Sequence, residues 1–142
     1  MNIAILTHPL GANYGGILQA YALTTVFRQK KHDVFVLRRD HCMPYTKRIL
    51  KQLMILLHHP RYNNPKYKNL RQFVATKITE SPILYTSVEM TEYIRKNKID
   101  YVVVGSDQVW RSDFAMGYGF NYFLDFVPDN VKRASYAASF GL

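Results

Sequence analysis

Acidic residues are scarce in this chain of 142 residues. Ten Asp and Glu stand against nineteen Lys and Arg, a formal net charge of +9. A field of that sign attracts anions, whether phosphorylated sugars, acidic lipid surfaces or nucleic acid. The imbalance is concentrated. Between residues 28 and 77 there are thirteen Lys or Arg and only two acids, Asp33 and Asp40. A solvated basic face that aids solubility accounts for such a run equally well. No recognised nucleic-acid motif accompanies the charge, so nucleic acid is not expected as a partner.

Cysteine is nearly absent. Cys42 stands alone, which rules out a disulfide within the chain and any CxxC metal or redox pair. A lone thiol fits a reducing cytoplasm and is most simply a small packing residue. His8, His32, His41, His58 and His59 lack the spacing of a metal site, and no metal or cofactor is expected. No run approaches the roughly 20 apolar residues that span a bilayer. The amino terminus has no basic flank and only a short apolar run, so it reads as a first strand and not as a signal peptide. These absences together suggest a cytoplasmic protein.

What is present is a globular composition, 48% hydrophobic and 20% charged, with aromatics at 14%. Residues 3–7 form a continuous apolar run, as in a strand buried on both faces of a parallel sheet. A glycine-containing loop follows, then a helix over 17–30 with Leu18, Tyr21, Ala22 and Val26 spaced three and four apart as one buried stripe. A second strand over 33–37 completes a βαβ unit. Residues 45–60 suggest a basic amphipathic helix ended by Pro60, with a turn over 62–65. Another helix is expected over 66–78. Ser81-Pro82 reads as a break before a short strand over 83–85. Thr86 and Glu89 have capping-box spacing for a helix over 87–96. Residues 100–104 form a strong buried strand, 108–121 a long structured loop, 122–126 a short element and 133–139 a last strand. The fold class is α/β, a Rossmann-like parallel sheet with flanking helices, as one domain over 1–142. The chain stops directly after a strand and a glycine, where a helix normally follows, which suggests that further chain belongs to the complete protein.

Two stretches can carry chemistry. In open α/β sheets ligands bind beyond the carboxyl ends of the strands. Asn13, Tyr14, Gly15, Gly16 and Gln19 lie in such a place, after the first strand. The glycines permit close backbone approach, and the new helix aims free N–H groups and its positive dipole end there. The pattern is neither GxGxxG nor a Walker loop, so neither a dinucleotide nor ATP is indicated. The plain alternative is a strand-to-helix turn with Asn13 as its cap. Gly105, Ser106, Asp107, Gln108 and Trp110 follow the buried strand over 100–104. Asp107 is open to three readings: general base, acceptor for a substrate hydroxyl, or turn residue. Trp110, the only Trp, is either an apolar wall for a sugar or base, or core.

Taken with Tyr122-Phe123-Leu124-Asp125-Phe126 and with residues 133–141, read Arg-Ala-Ser-Tyr-Ala-Ala-Ser-Phe-Gly, these stretches resemble the polysaccharide pyruvyl transferase family in order and spacing. The resemblance implies two Rossmann-like domains facing across a cleft, as in GT-B glycosyltransferases. This chain would be the amino-terminal half, with a carboxy-terminal domain beyond it holding much of the donor chemistry. On its own such a half would be incomplete for catalysis. It also implies transfer of pyruvate from phosphoenolpyruvate to sugar hydroxyls of a cell-surface polysaccharide or its anionic, lipid-linked precursor, in bacterial exopolysaccharide or cell-wall biosynthesis. Both stretches would face the cleft. The rival readings are a GT-B glycosyltransferase and a non-catalytic sugar- or nucleotide-binding module. The helix over 45–60 raises a peripheral contact with the inner face of a membrane, against the alternative that it packs on the sheet or on the second domain.

Overall fold

The computed structural model describes residues 1–57, 64–111, 113, 118 and 120–141. Five strands, β1 (Asn2–Leu6), β2 (Asp33–Arg39), β3 (Glu80–Leu84), β4 (Tyr101–Asp107) and β5 (Lys132–Ala138), form one sheet in the order β3-β2-β1-β4-β5. Every pairing is parallel. Among the described residues four α-helices connect them: α1 (Tyr14–Gln29), α2 (Tyr45–Leu56), α3 (Lys68–Lys77) and α4 (Ser87–Lys96).

Strand alternation divides the core into two layers. Ile3, Ile5, Val34, Val36 and Val103 face Ile17, Ala20 and Leu23 of α1 and Leu70 and Val74 of α3. Ala4, Leu6, Leu37, Val102 and Val104 face Met90 and Ile94 of α4, together with Tyr122, Leu124, Phe126 and Val127. The central strands are apolar on both faces because both faces are covered, which gives the continuous runs seen in the sequence.

Four local outcomes differ from the sequence expectations. Helix α1 starts at Tyr14, three residues early, because the Asn13 side chain accepts from the Gly16 amide at 3.2 Å and caps the helix through its glycines. Strand β3 runs through Pro82. It lies at the edge of the sheet, where a strand tolerates a missing N–H. Strand β4 continues to Asp107, so Gly105, paired with Tyr136, and Ser106 lie within the strand and not in a turn. The buried face of α1 is set by Ile17, Ala20, Leu23 and Thr24, while Leu18 and Val26 of the expected stripe are exposed. The capping box at α4 forms as expected: Thr86 accepts from the Glu89 amide, and the Glu89 carboxylate reaches back to the Tyr85 amide. The end of the helix expected up to Pro60, the first part of the turn over 62–65, and residues 112, 114–117 and 119 of the long loop lie outside the described residues.

Helix α2 has no buried residue. It does not pack on the sheet, and ion pairs hold it. Arg48 bonds Glu89 at 2.6 Å and lies over the Tyr85 ring, and Lys51 pairs with Asp40. Burial pushes the Asp40 carboxyl up, but the hydrogen bonds from Lys51 and the His41 amide outweigh it and leave it below the usual range.

Candidate functional site

The sheet order reverses between β1 and β4: β2 and β3 lie on one side of β1, β4 and β5 on the other. This is the topological switch point at which open α/β sheets leave a crevice beyond the strand ends. The segments leaving β1 and β4 are the two singled out from the sequence, and the structure brings them together. A Cβ placed on Gly16 would lie 3.7 Å from Asp107 Oδ2 and 3.2 Å from Asn13 Nδ2. Below them the Thr7 hydroxyl, buried, donates to the Ser106 carbonyl at 3.3 Å.

The individual residues divide by role. Asn13 is exposed, and its carboxamide oxygen is engaged by the helix cap, so the capping reading holds for that atom. Tyr14 and Gly15 are exposed in the first turn, and Gly16 is buried. Gln19 is exposed and one helical turn from Gly16, on the same side of α1. Asp107 is half-buried with φ 111°. Its Oδ1 accepts from the Gln108 amide at 2.7 Å, and its backbone carbonyl accepts from Ser139 N at 3.1 Å. No described residue donates to Oδ2, the oxygen on the Gly16 side. Ser106 is buried, and Gln108 Oε1 accepts from Arg111 at 3.3 Å.

Trp110 is half-buried, and its indole N–H donates to the Tyr122 carbonyl at 2.9 Å. That bond fixes the ring as part of the framework. Its faces meet other rings: Phe123 is stacked on it with 5.9 Å between centroids and 4° between planes, and Phe140 lies at 5.4 Å. Phe120, Phe123 and Phe140 are exposed. The apolar wall therefore consists of phenylalanines around Trp110. The sequence did not reveal it, because the rings come from three separate segments. Its signals were Trp110, open to the wall reading, and the run Phe120-Asn121-Tyr122-Phe123.

Cavities flank both segments. One of about 580 Å³ is lined by Gln108, Ser139, Phe140 and Gly141. Another of about 590 Å³ lies on the β2 side of the β1–α1 loop, between residues 9–12 of that loop and Arg38, Arg71 and Glu80. Burial raises the Glu80 carboxyl, and Arg38 offsets this only in part. A carboxyl raised on folding makes the folded state bind more protons than the unfolded one. Its contribution is present below the ordinary value of 4.5 and is lost as pH rises through the raised one. Glu80→Gln is therefore expected to stabilise the protein at neutral pH and to flatten the decline above pH 4.5. Urea unfolding at several pH values would check this, and unchanged pH dependence would refute it. Among the described residues no group of three His, Cys, Asp or Glu gathers to hold a metal ion.

Gly16→Val tests whether the close approach serves a ligand. A side chain there crowds Asn13 Nδ2, a movable group, and no backbone. The expected result is a fall in melting temperature of only a few degrees, since the cap contributes about 1 kcal/mol, with a tenfold or larger loss of ligand affinity by titration. A large fall in melting temperature with unchanged affinity would make the glycine structural.

No curated protein sequence matches the chain. Among solved structures, the universal stress protein UspA from Lactobacillus plantarum aligns over 95% of this chain and 98% of its own at 15% identity, with a TM-score of 0.42. The sequence profile described as polysaccharide pyruvyl transferase matches residues 13–142, a span that takes in both segments of the crevice and the aromatic wall. The chain belongs to the polysaccharide pyruvyl transferase family.

Proposed function

We propose that this chain is the amino-terminal Rossmann-like half of a two-domain, GT-B-like enzyme that transfers pyruvate from phosphoenolpyruvate to hydroxyls of a saccharide, and that the switch-point crevice holds the saccharide. One observation supports this above the others. Two glycine-bearing segments from adjacent strands close on one carboxylate, Asp107, whose Oδ2 is left without a described donor. A sugar hydroxyl is the donor such an oxygen would accept, and the exposed rings gathered around Trp110, three residues further along the same segment, suit the apolar face of a sugar ring.

In the reaction the methylene carbon of phosphoenolpyruvate gains a proton and becomes a methyl group. Two sugar hydroxyls bond to the neighbouring carbon, the bond from that carbon to the phosphate oxygen breaks, and phosphate leaves. Of the two protons released by the hydroxyls, one balances the methyl group and the other goes to phosphate. Asp107 holds an attacking hydroxyl in place. The acid and the cations that receive the phosphate belong to the second domain in this reading. The acceptor is a cell-surface polysaccharide or its anionic, lipid-linked precursor, handled on the cytoplasmic side, and the basic charge of the chain favours such a ligand.

The test is an assay of the full-length protein with phosphoenolpyruvate against a panel of nucleotide sugars as donors. Phosphate release coupled to a ketal on the saccharide supports the reading. Glycosyl transfer from a nucleotide sugar instead would overturn it.

A further inference from the structure

Helix α2 is mounted inside out. Its cationic side faces the body: Arg48 and Lys51 side chains are 19% and 17% exposed, each on a carboxylate. Met54 and Ile55 are half-buried with them, Lys47 is exposed, and the rest of the apolar residues face away. Ile49, Leu50, Leu53 and Leu57 are 42%, 54%, 49% and 77% exposed, and they recur three and four residues apart along one stripe. Tyr45, at the start, is 74% exposed. Amphipathic helices of globular proteins bury the apolar side, so this orientation needs an occupant.

We infer that the α2 stripe docks on an acidic lipid surface, lying in the plane of the headgroups. Charge argues for that occupant. Residues 41–79 contain eight Lys or Arg and no Asp or Glu; Arg48 and Lys51 are held in ion pairs, and exposed Lys47 is the cation of α2 left at its surface. The two carboxylates nearest α2, Asp40 and Glu89, are already paired with its own cations. A second copy would bring the same positive segment face to face with itself. Size argues the same way. A helix of 12 residues is about 18 Å long. One face of that length is small against the roughly 800 Å² per partner of a stable protein interface. An in-plane helix has no such minimum, because each apolar side chain and each flanking cation adds to binding. No helix among the described residues is long and apolar enough to cross a membrane, so the contact is peripheral. This inference does not depend on the transfer reaction.

The experiment is co-sedimentation of the full-length protein with vesicles of phosphatidylcholine alone and of phosphatidylcholine mixed with phosphatidylglycerol. It compares the parent, the double variant Leu53→Glu/Leu57→Glu and the control Val26→Glu, an exposed valine on α1. Circular dichroism and light scattering accompany it. The expected result is binding to the mixed vesicles that weakens with salt. It should fall at least tenfold in the double variant, with the melting temperature unchanged, and persist in the control. Failure to bind mixed vesicles at low salt would overturn the inference, as would equal binding by all three proteins. A parent dimer that dissociates in the double variant would assign the stripe to a second copy. A lowered melting temperature in the double variant without lipid would assign it to a covering domain. Either result overturns the lipid surface.

Discussion

Gly105→Ala is expected to cost more than about 4 kcal/mol and to lower the melting temperature by more than about 10 °C. The residue lies within β4 at φ 115°, a conformation that L side chains rarely adopt. A Cβ would sit 2.1 Å from the backbone carbonyl oxygen of Tyr136. That oxygen belongs to the β4–β5 ladder, where Gly105 is the direct partner of Tyr136, so no side chain can rotate out of the way. Either β5 separates from the sheet or β4 bends. Both displace Ser106, Asp107 and Gln108, so whatever binds at the crevice is lost along with stability. Thermal unfolding followed by circular dichroism checks the size of the effect. A variant melting within a few degrees of the parent would show that the strands are looser here than described.

Arg39→Met should also be severe, costing about 3 kcal/mol. Arg39 is 5% exposed at the end of β2. Its guanidinium donates to Asn121 Oδ1 at 2.7 Å, to the Tyr85 carbonyl at 2.7 Å and to the Asp40 carbonyl. Burial lowers its affinity for the proton, but the acceptors around it keep the fork in use. Removing it leaves buried acceptors unsatisfied, at about 1–3 kcal/mol for each group. Asn121 also bonds Ser87 and Asp125, so the same substitution loosens the segment that carries Tyr122 and Phe123. Trp110 bonds the Tyr122 carbonyl and is the only tryptophan, so its fluorescence reports the change. Arg39→Lys keeps the charge without the fork and should rescue little. Unchanged emission and melting in both variants would contradict this role.

The parts legible in the sequence were those written in local patterns. β1 and β4 are continuous apolar runs because helices cover both faces, and such runs have few other uses. Both candidate segments followed from that, since each is what the chain does on leaving a buried strand. The bounds of α1 were less legible: glycines read as loop until the Asn13 cap is seen to hold them in the helix. Pro82 read as a break because nothing local says that β3 lies at an edge. The orientation of α2 was out of reach for a related reason. Its periodicity was plain, but its facing depends on Asp40, eleven residues away, and Glu89, forty-one away. Periodicity defines a stripe and says nothing of which side meets the protein. The aromatic wall was hidden likewise, since Trp110, Phe123 and Phe140 meet only through the fold.

The account turns on Asp107 as the group that holds the acceptor hydroxyl. Asp107→Asn keeps the shape, tolerates the positive φ and retains an oxygen for the Gln108 amide, while it removes the charge at the crevice. The decisive measurement is the rate of pyruvyl transfer from phosphoenolpyruvate to saccharide by the full-length variant, alongside its melting temperature. The account predicts a rate lower by about 100-fold, the scale of a lost positioning contact, with melting unchanged. Transfer at the parental rate would contradict it.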